Sequence, residues 1–369
     1  MIMKHSLLLT PGPLTTTESV KKAMQGDWCT WEDEYKALTR SIRQKLVEIS
    51  GGDDRFTAVL MQGSGTFSVE AAIGTFVSQD DHMLIGVNGA YGRRLVEIAE
   101  RMRIPCSTFS TSDTKQLDPE LLETILKSDS SITHVVFVHS ETTSGLLNPA
   151  DELCRIAKKY GTTTIVDAMS SFGGMNMSIQ EWDIDVLVSS ANKCLQGVPG
   201  FGFIIANSSL LSTRKDCAPS LSLDLYDQFE TMENDGGKWR FTSPTHAVHA
   251  FSRALEELDE EGGVSKREQR YRMNMNILIN GMKELGFQTA IEKEIQSPFI
   301  ASFLYPEHDF SFDSFYKALK KEGFIIYPGK LTDLPAFRIG VIGDVVGSDM
   351  VRLLDAIKAY VVREEAISI

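Results

Sequence analysis

The chain has 369 residues, with 37 Lys and Arg against 50 Asp and Glu, a net charge of −13, and is 42% hydrophobic and 24% charged. That length exceeds what one hydrophobic core ordinarily fills, so two domains are expected. An acidic chain with no basic tract lacks the electrostatic footprint of a nucleic-acid or anionic-membrane binder, and no apolar run is long enough to span a bilayer.

Met1–His5 carry no signal-peptide pattern. Helical spacing of Tyr35, Leu38, Ile42, Leu46 and Ile49 predicts a helix over residues 33–50, stopped by Gly51. A strand follows at Thr57–Met61, then the loop Gln62-Gly63-Ser64-Gly65-Thr66, then a helix over Phe67–Val77. Further strands read at His82–Val87, His134–His139, Thr163–Asp167, Asp185–Ser189 and Gly202–Ala206, with amphipathic helices at Arg93–Met102 and Asp151–Tyr160. This alternation predicts an α/β domain on a mainly parallel sheet. After about residue 245 the pattern changes. A helix through Ala250, Leu255 and Leu258 ends at Glu261-Gly262-Gly263, and a long polar helix covers 264–285. Strands at Ile300–Tyr305, Phe324–Tyr327 and Phe337–Val341, with helices at Phe312–Lys321 and Ser348–Val362, predict a smaller α+β domain. The expected division is 1–250 and 251–369.

Several chemistries lose support at once. There is no HExxH, no GxSxG and no GxGxxG, and Gly323 to Gly329-Lys330-Leu331 fails the P-loop spacing and lacks its Ser or Thr. No metal site is expected. The five cysteines, Cys29, Cys106, Cys154, Cys194 and Cys217, form no CxxC pair and read as free thiols in a reducing cytoplasm.

What remains is an acid and a lysine at two neighbouring sheet ends. Asp167 closes the apolar run Thr163–Val166, and Lys193 follows the strand ending at Ser189. The carboxyl edge of a parallel sheet is where ligands bind. Pyridoxal 5′-phosphate requires a lysine amine for its aldehyde, a carboxylate at its pyridine nitrogen and a cup for its phosphate. Ser64-Gly65-Thr66, opening a helix, offers free backbone N–H groups and two hydroxyls for that cup. Each element alone has an ordinary explanation: a strand-end Asp as a helix cap, a solvated lysine, a turn that binds nothing. Order and spacing carry the argument.

The order of segments resembles class V aminotransferases of fold type I over essentially the whole chain. The resemblance runs from Leu8-Leu9-Thr10-Pro11-Gly12-Pro13 through Asn88-Gly89-Ala90-Tyr91-Gly92-Arg93-Arg94 and Val166-Asp167-Ala168 to Ser190-Ala191-Asn192-Lys193 and Phe241-Thr242-Ser243-Pro244. Asp27-Trp28-Cys29-Thr30-Trp31, His139-Ser140-Glu141-Thr142-Thr143-Ser144-Gly145 and the ending Tyr327-Pro328-Gly329-Lys330 with Phe337-Arg338-Ile339-Gly340 are similar to the subgroup acting on 2-aminoethylphosphonate and pyruvate. The alternative within the class is an alanine:glyoxylate or serine:pyruvate type. The resemblance implies a fold-type I transferase with a large cofactor domain and a small C-terminal domain. It implies Lys193 as the lysine that holds the cofactor and moves the proton, and Asp167 at the ring nitrogen. Ser64, Gly65 and Thr66 fall to the phosphate, Tyr91 to ring stacking, and Thr142 to the ring oxygen. Thr242 falls to the partner subunit's phosphate, hence a homodimer with shared sites; otherwise it would be a helix cap. Arg338 falls to the substrate's anion, with Lys330 or Arg93 as a candidate extra donor. Cys194, beside the lysine, is expected to be a bystander. A cysteine desulfurase of the same fold would need a cysteine on a late loop, and Cys217 is the last one. A non-catalytic sugar- or nucleotide-binding α/β protein would tolerate loss of Lys193.

Overall fold

In the computed structural model, residues 6–306 and 310–367 are described; Met1–His5, on which the reading of the N-terminus rests, lie outside them. Helix α1 (Asp33–Ile49) buries Tyr35, Ile42 and Leu46 of the set that predicted it, with Leu38 and Ile49 partly buried. Strand β1 (Phe56–Gly63) leads into α2 (Gly65–Phe76), and β2 (Met83–Val87) into α3 (Ala90–Met102). There follow β3 (Cys106–Ser110), α4 (Pro119–Ser128), β4 (His134–Val138), α5 (Ala150–Lys159), β5 (Thr163–Asp167), β6 (Val186–Ser190) and β7 (Gly200–Asn207).

These seven strands form one sheet in the order β1-β7-β6-β5-β4-β2-β3. The run from β6 to β3 is parallel, whereas β7 is antiparallel to both β6 and β1. The reversal has a consequence for the site. The turn after β6 feeds straight into β7, whose first residue, Gly200, pairs with Gly63 at the end of β1. The ends of β1, β5 and β6 therefore open on one crevice.

Elements β3, α4 and α6 (Leu225–Asn234) go unpredicted from sequence, although Leu122 and Leu126 of α4 are buried at helical spacing. In β3 only Phe109 is fully buried, as suits a polar edge strand. Helix α4 is set by its start, where Asp118 caps the N–H groups of Glu120 and Leu121 with Pro119 following.

Helix α7 (Thr245–Glu261) crosses the expected boundary, and its Phe251, Leu255 and Leu258 belong to the core around the large sheet. After α8 (Val264–Glu284) a second core gathers. It is built on the antiparallel sheet β8-β10-β9, formed by β8 (Ile300–Leu304), β9 (Tyr327–Pro328) and β10 (Ala336–Gly340). It is covered by α9 (Phe312–Lys321) and α10 (Gly347–Ile367). The single strand expected at Phe324–Tyr327 is split. Phe324–Ile325 pairs in parallel with Leu7–Leu8, and Tyr327–Pro328 pairs with β10. The N-terminal segment is thereby fastened to the small core, where Leu9 is buried, and then crosses to the crevice.

Candidate active site

A cavity of about 200 Å³ lies at the sheet edge, lined by Ser64, Gly65, Thr66, Tyr91, Thr142, Asp167 and Lys193 among others. Seven of the nine residues expected from sequence are thus brought together.

The cradle comes first. Helix α2 begins at Gly65, two residues earlier than the periodicity implies, so Gly65 and Thr66 lie in its first turn and their N–H groups have no intrahelical partner. Ser64 holds the cap position without using its side chain there. A Cβ at Gly65 would meet the Met169 sulfur at 2.4 Å, so a side chain there would require Met169 to move.

Asp167 ends β5 and is 7% exposed. One carboxylate oxygen accepts from the Met169 N–H at 2.9 Å, and no basic side chain pairs with it among the described residues. Burial pushes its pKa up to about 6, and the nearby Glu141 adds to the rise. Lys193 stands in the turn between β6 and β7. Its amine donates to the carbonyls of Pro11 at 2.8 Å and Gly12 at 3.3 Å. Burial lowers its pKa to about 8. Gly12 adopts φ +106°, and a Cβ there would strike Lys193 Cδ at 2.6 Å; glycine is what lets the N-terminal segment pass over the lysine. The turn is held from behind. The Cys194 carbonyl accepts from Arg267 at 3.1 Å and from the Tyr271 hydroxyl at 3.2 Å, and the Gln196 amide donates to Tyr271 and to the Gly343 carbonyl. The Cys194 thiol is fully buried and burial pushes it up to about 12, which leaves it inert as a nucleophile at neutral pH.

Tyr91 sits at the start of α3, and the Thr142 and Ser170 hydroxyls are hydrogen-bonded to each other at 2.7 Å. Glu141 went unnoticed within its polar segment. Fully buried, it accepts from the N–H groups of Tyr91 at 3.2 Å and Gly92 at 3.3 Å, and from the N–H and hydroxyl of Thr143. It anchors the helix end that carries Tyr91. Burial raises its pKa and these donors oppose the rise.

Arg338, in the middle of β10, is 2% exposed. It stands just behind the cavity wall, donating to the Thr142 carbonyl at 3.0 Å and to the Pro328 carbonyl at 3.0 Å. No carboxylate pairs with it among the described residues, and burial lowers its pKa from the ordinary guanidinium value. Thr242 is exposed and off the cavity, and it does not cap α7, whose cap position is Pro244. Arg93 and Lys330 do not line the cavity either. Lys330 is exposed, and Arg93 bridges to Asp113 at 3.0 Å and Thr332 at 3.3 Å. The arginine on the wall is its neighbour Arg94.

Whether these residues suit pyridoxal 5′-phosphate is decided by what each lacks. A buried carboxylate with no ion-pair partner among the described residues, a buried amine held by carbonyls, and a helix start with free N–H groups and hydroxyls suit respectively a protonated ring nitrogen, an aldehyde and a phosphate. The donor set fits.

Comparison with known proteins agrees. The family model described as Aminotransferase class-V matches residues 24–352. A 2-aminoethylphosphonate–pyruvate transaminase of Bacillus cereus is 53% identical over 98% of this chain and 100% of its own length. Among solved structures, the alanine–glyoxylate aminotransferase of Nostoc sp. superposes with a TM-score of 0.89 at 25% identity, over 97% of this chain and 96% of that one. The ureidoglycine–glyoxylate aminotransferase of Bacillus subtilis superposes with a TM-score of 0.90 at 22% identity, over 98% and 94%. The chain belongs to the class V aminotransferase family.

Proposed function

We propose that this aminotransferase uses pyridoxal 5′-phosphate to move the amine of 2-aminoethylphosphonate to pyruvate, giving phosphonoacetaldehyde and L-alanine. The observation that carries the reading is the whole-length identity to the Bacillus cereus transaminase, joined to a buried arginine that has no acid partner of its own. When bound, the cofactor supplies an aldehyde that takes up the amine and a protonated ring that draws electrons from the reacting carbon.

The chain's residues do the rest. Lys193 would hold the cofactor, and its low-pKa amine would carry the proton between the substrate carbon and the cofactor carbon. Asp167 keeps the ring nitrogen protonated. Ser64, Gly65 and Thr66 bind the phosphate, Tyr91 covers the ring, and the Thr142 hydroxyl meets the ring oxygen. Thr242, exposed in one chain, serves the phosphate of a partner subunit, so the working form is a homodimer with shared sites. Arg338 receives the carboxylate of pyruvate or the phosphonate of the amine, both of which match a planar guanidinium. The location is cytoplasmic; among the described residues no helix is long and apolar enough to cross a membrane.

The substrate is tested by titrating the cofactor-loaded protein with single amines while following the cofactor's visible absorbance. 2-Aminoethylphosphonate is expected to bleach the band and pyruvate to restore it, with little response to serine, taurine or β-alanine. A response to serine or alanine without one to the phosphonate would leave the aminotransferase and remove the substrate. Arg338→Lys is expected to raise KM for pyruvate and the phosphonate alike, by about 10- to 100-fold, the loss of one charge-assisted hydrogen bond. A rise for only one of them would show that the two anions bind at different residues.

A further inference from the structure

Thr66 and Tyr91 meet at a residue to which no role has been given. Arg94 lies one turn beyond Tyr91 on α3, on the same helix face. Its guanidinium carbon stands 4.8 Å from the centre of the Tyr91 ring. Its Nη1 donates to the Thr66 hydroxyl at 3.1 Å. It lines the cavity beside Ser64, Gly65 and Thr66. Among the described residues no carboxylate forms an ion pair with it, whereas the adjacent Arg93 is paired with Asp113. A half-buried cation ordinarily has an acid paired with it; this one contacts a hydroxyl and an aromatic face, and acts on the buried Asp167 of the same cavity only through the field, without an ion pair.

The hydroxyl is informative in its polarity. A threonine oxygen can accept and donate, but has one proton to give. Because it accepts from Arg94, its proton is left for an acceptor elsewhere, on the side of the α2 start. We infer that Arg94 binds the phosphoryl dianion of the cofactor together with the first turn of α2, and that it turns the Thr66 hydroxyl into a donor toward the same group. The stack on Tyr91 fixes the guanidinium plane and couples the phosphate contact to the residue covering the ring. The other phosphorus-bearing anion in the reaction, the substrate's phosphonate, is assigned instead to Arg338, which reaches the cavity by way of Thr142.

This inference rests on the reading of the cavity as the pyridoxal-phosphate site, and the test separates the two. Apoprotein of the wild type, of Arg94→Gln and of Arg94→Lys is titrated with pyridoxal 5′-phosphate and with pyridoxal, which has no phosphate, following protein fluorescence and visible absorbance. Circular dichroism of each apoprotein establishes that it is folded. Arg94→Gln is expected to weaken binding of the phosphate form by about 10- to 100-fold, the range for a charge-assisted hydrogen bond, and binding of pyridoxal by less than about twofold, with Arg94→Lys in between. Equal losses for both ligands would mean that Arg94 acts only through the Tyr91 ring, and would overturn the inference. So would unchanged affinity for both with a raised KM for 2-aminoethylphosphonate, which would move Arg94 to the substrate. Failure of the wild type to bind the phosphate form would remove the reading of the site itself.

Discussion

Lys193→Ala is expected to lower transamination by about 10⁴-fold or more, the upper end of what one positioned acid–base group contributes. The expected loss is large because the proposed reaction gives one side chain two tasks, capturing the cofactor and relaying the proton. Lys193→Arg is expected to be equally inactive, since it keeps the charge and lacks the nucleophilic amine. Single-turnover rates with 2-aminoethylphosphonate check both. Retention of more than about a hundredth of the wild-type rate would show that another base carries the proton, since a positioned base is worth about 10²-fold at least. The surroundings of the lysine add a pH dependence. Burial lowers its pKa from the ordinary 10.5 to about 8. At pH 7 about one amine in ten is then neutral, against fewer than about one in a thousand for an unperturbed lysine. The rate at which apoprotein captures pyridoxal 5′-phosphate is therefore expected to rise with pH and level off just above pH 8. A rise continuing to pH 10 would mean that the carbonyls of Pro11 and Gly12 hold an amine of ordinary basicity.

The same contact explains how much of the site the sequence revealed. Asp167 and Lys193 were legible because the first closes an apolar strand and the second follows one, and strand ends are fixed by the edge of the sheet. The cradle was legible only in company with Asp167 and Lys193, because glycine and small hydroxyl residues ahead of a helix commonly do no more than cap it. The Gly12 contact with Lys193 was not, because it joins residues 181 apart and depends on how Leu7–Leu8 fastens to the small domain. The direction of β7 was hidden too, since an apolar run reads the same parallel or antiparallel. Glu141 sits in a stretch of polar residues whose burial comes entirely from packing around them. Arg94 could have been found. Tyr91, Leu95 and Ile98 mark one face of α3; Arg94 is three residues after the first and four before the last, whereas Arg93 falls on the solvent side. Helical phase, applied residue by residue, separates the two arginines that a motif treats as one.

Asp167→Asn is expected to cost activity and to stabilise the apoprotein, and the pairing of those effects is what identifies its role. The amide occupies the same space and its oxygen can still accept from the Met169 N–H, so the cradle and the sheet edge stay in place. It cannot hold a positive charge on the ring nitrogen, and transamination is expected to fall about 10²- to 10³-fold, the range for removing one preorganised electrostatic group. Stability moves the other way. Burial raises the Asp167 pKa from 3.8 to about 6 in the folded chain. A carboxyl raised in the folded state contributes its stability below the unfolded value and loses it as pH rises through the folded one. At pH 7 the wild-type apoprotein therefore carries a buried charge that costs roughly 3 kcal/mol relative to the protonated form. The asparagine variant is free of that cost. Thermal melting of the two apoproteins is expected to show the variant more stable at pH 7, with its advantage shrinking as pH falls through 6 and lost below about 3, where the wild-type carboxyl is protonated in both states. Cofactor is expected to reverse the order at pH 7, because a protonated ring nitrogen pairs with the carboxylate and not with the amide. Equal melting at pH 7 without cofactor would show that Asp167 is solvated well enough to ionise freely, and would take away the argument that the cavity was built around a missing cation.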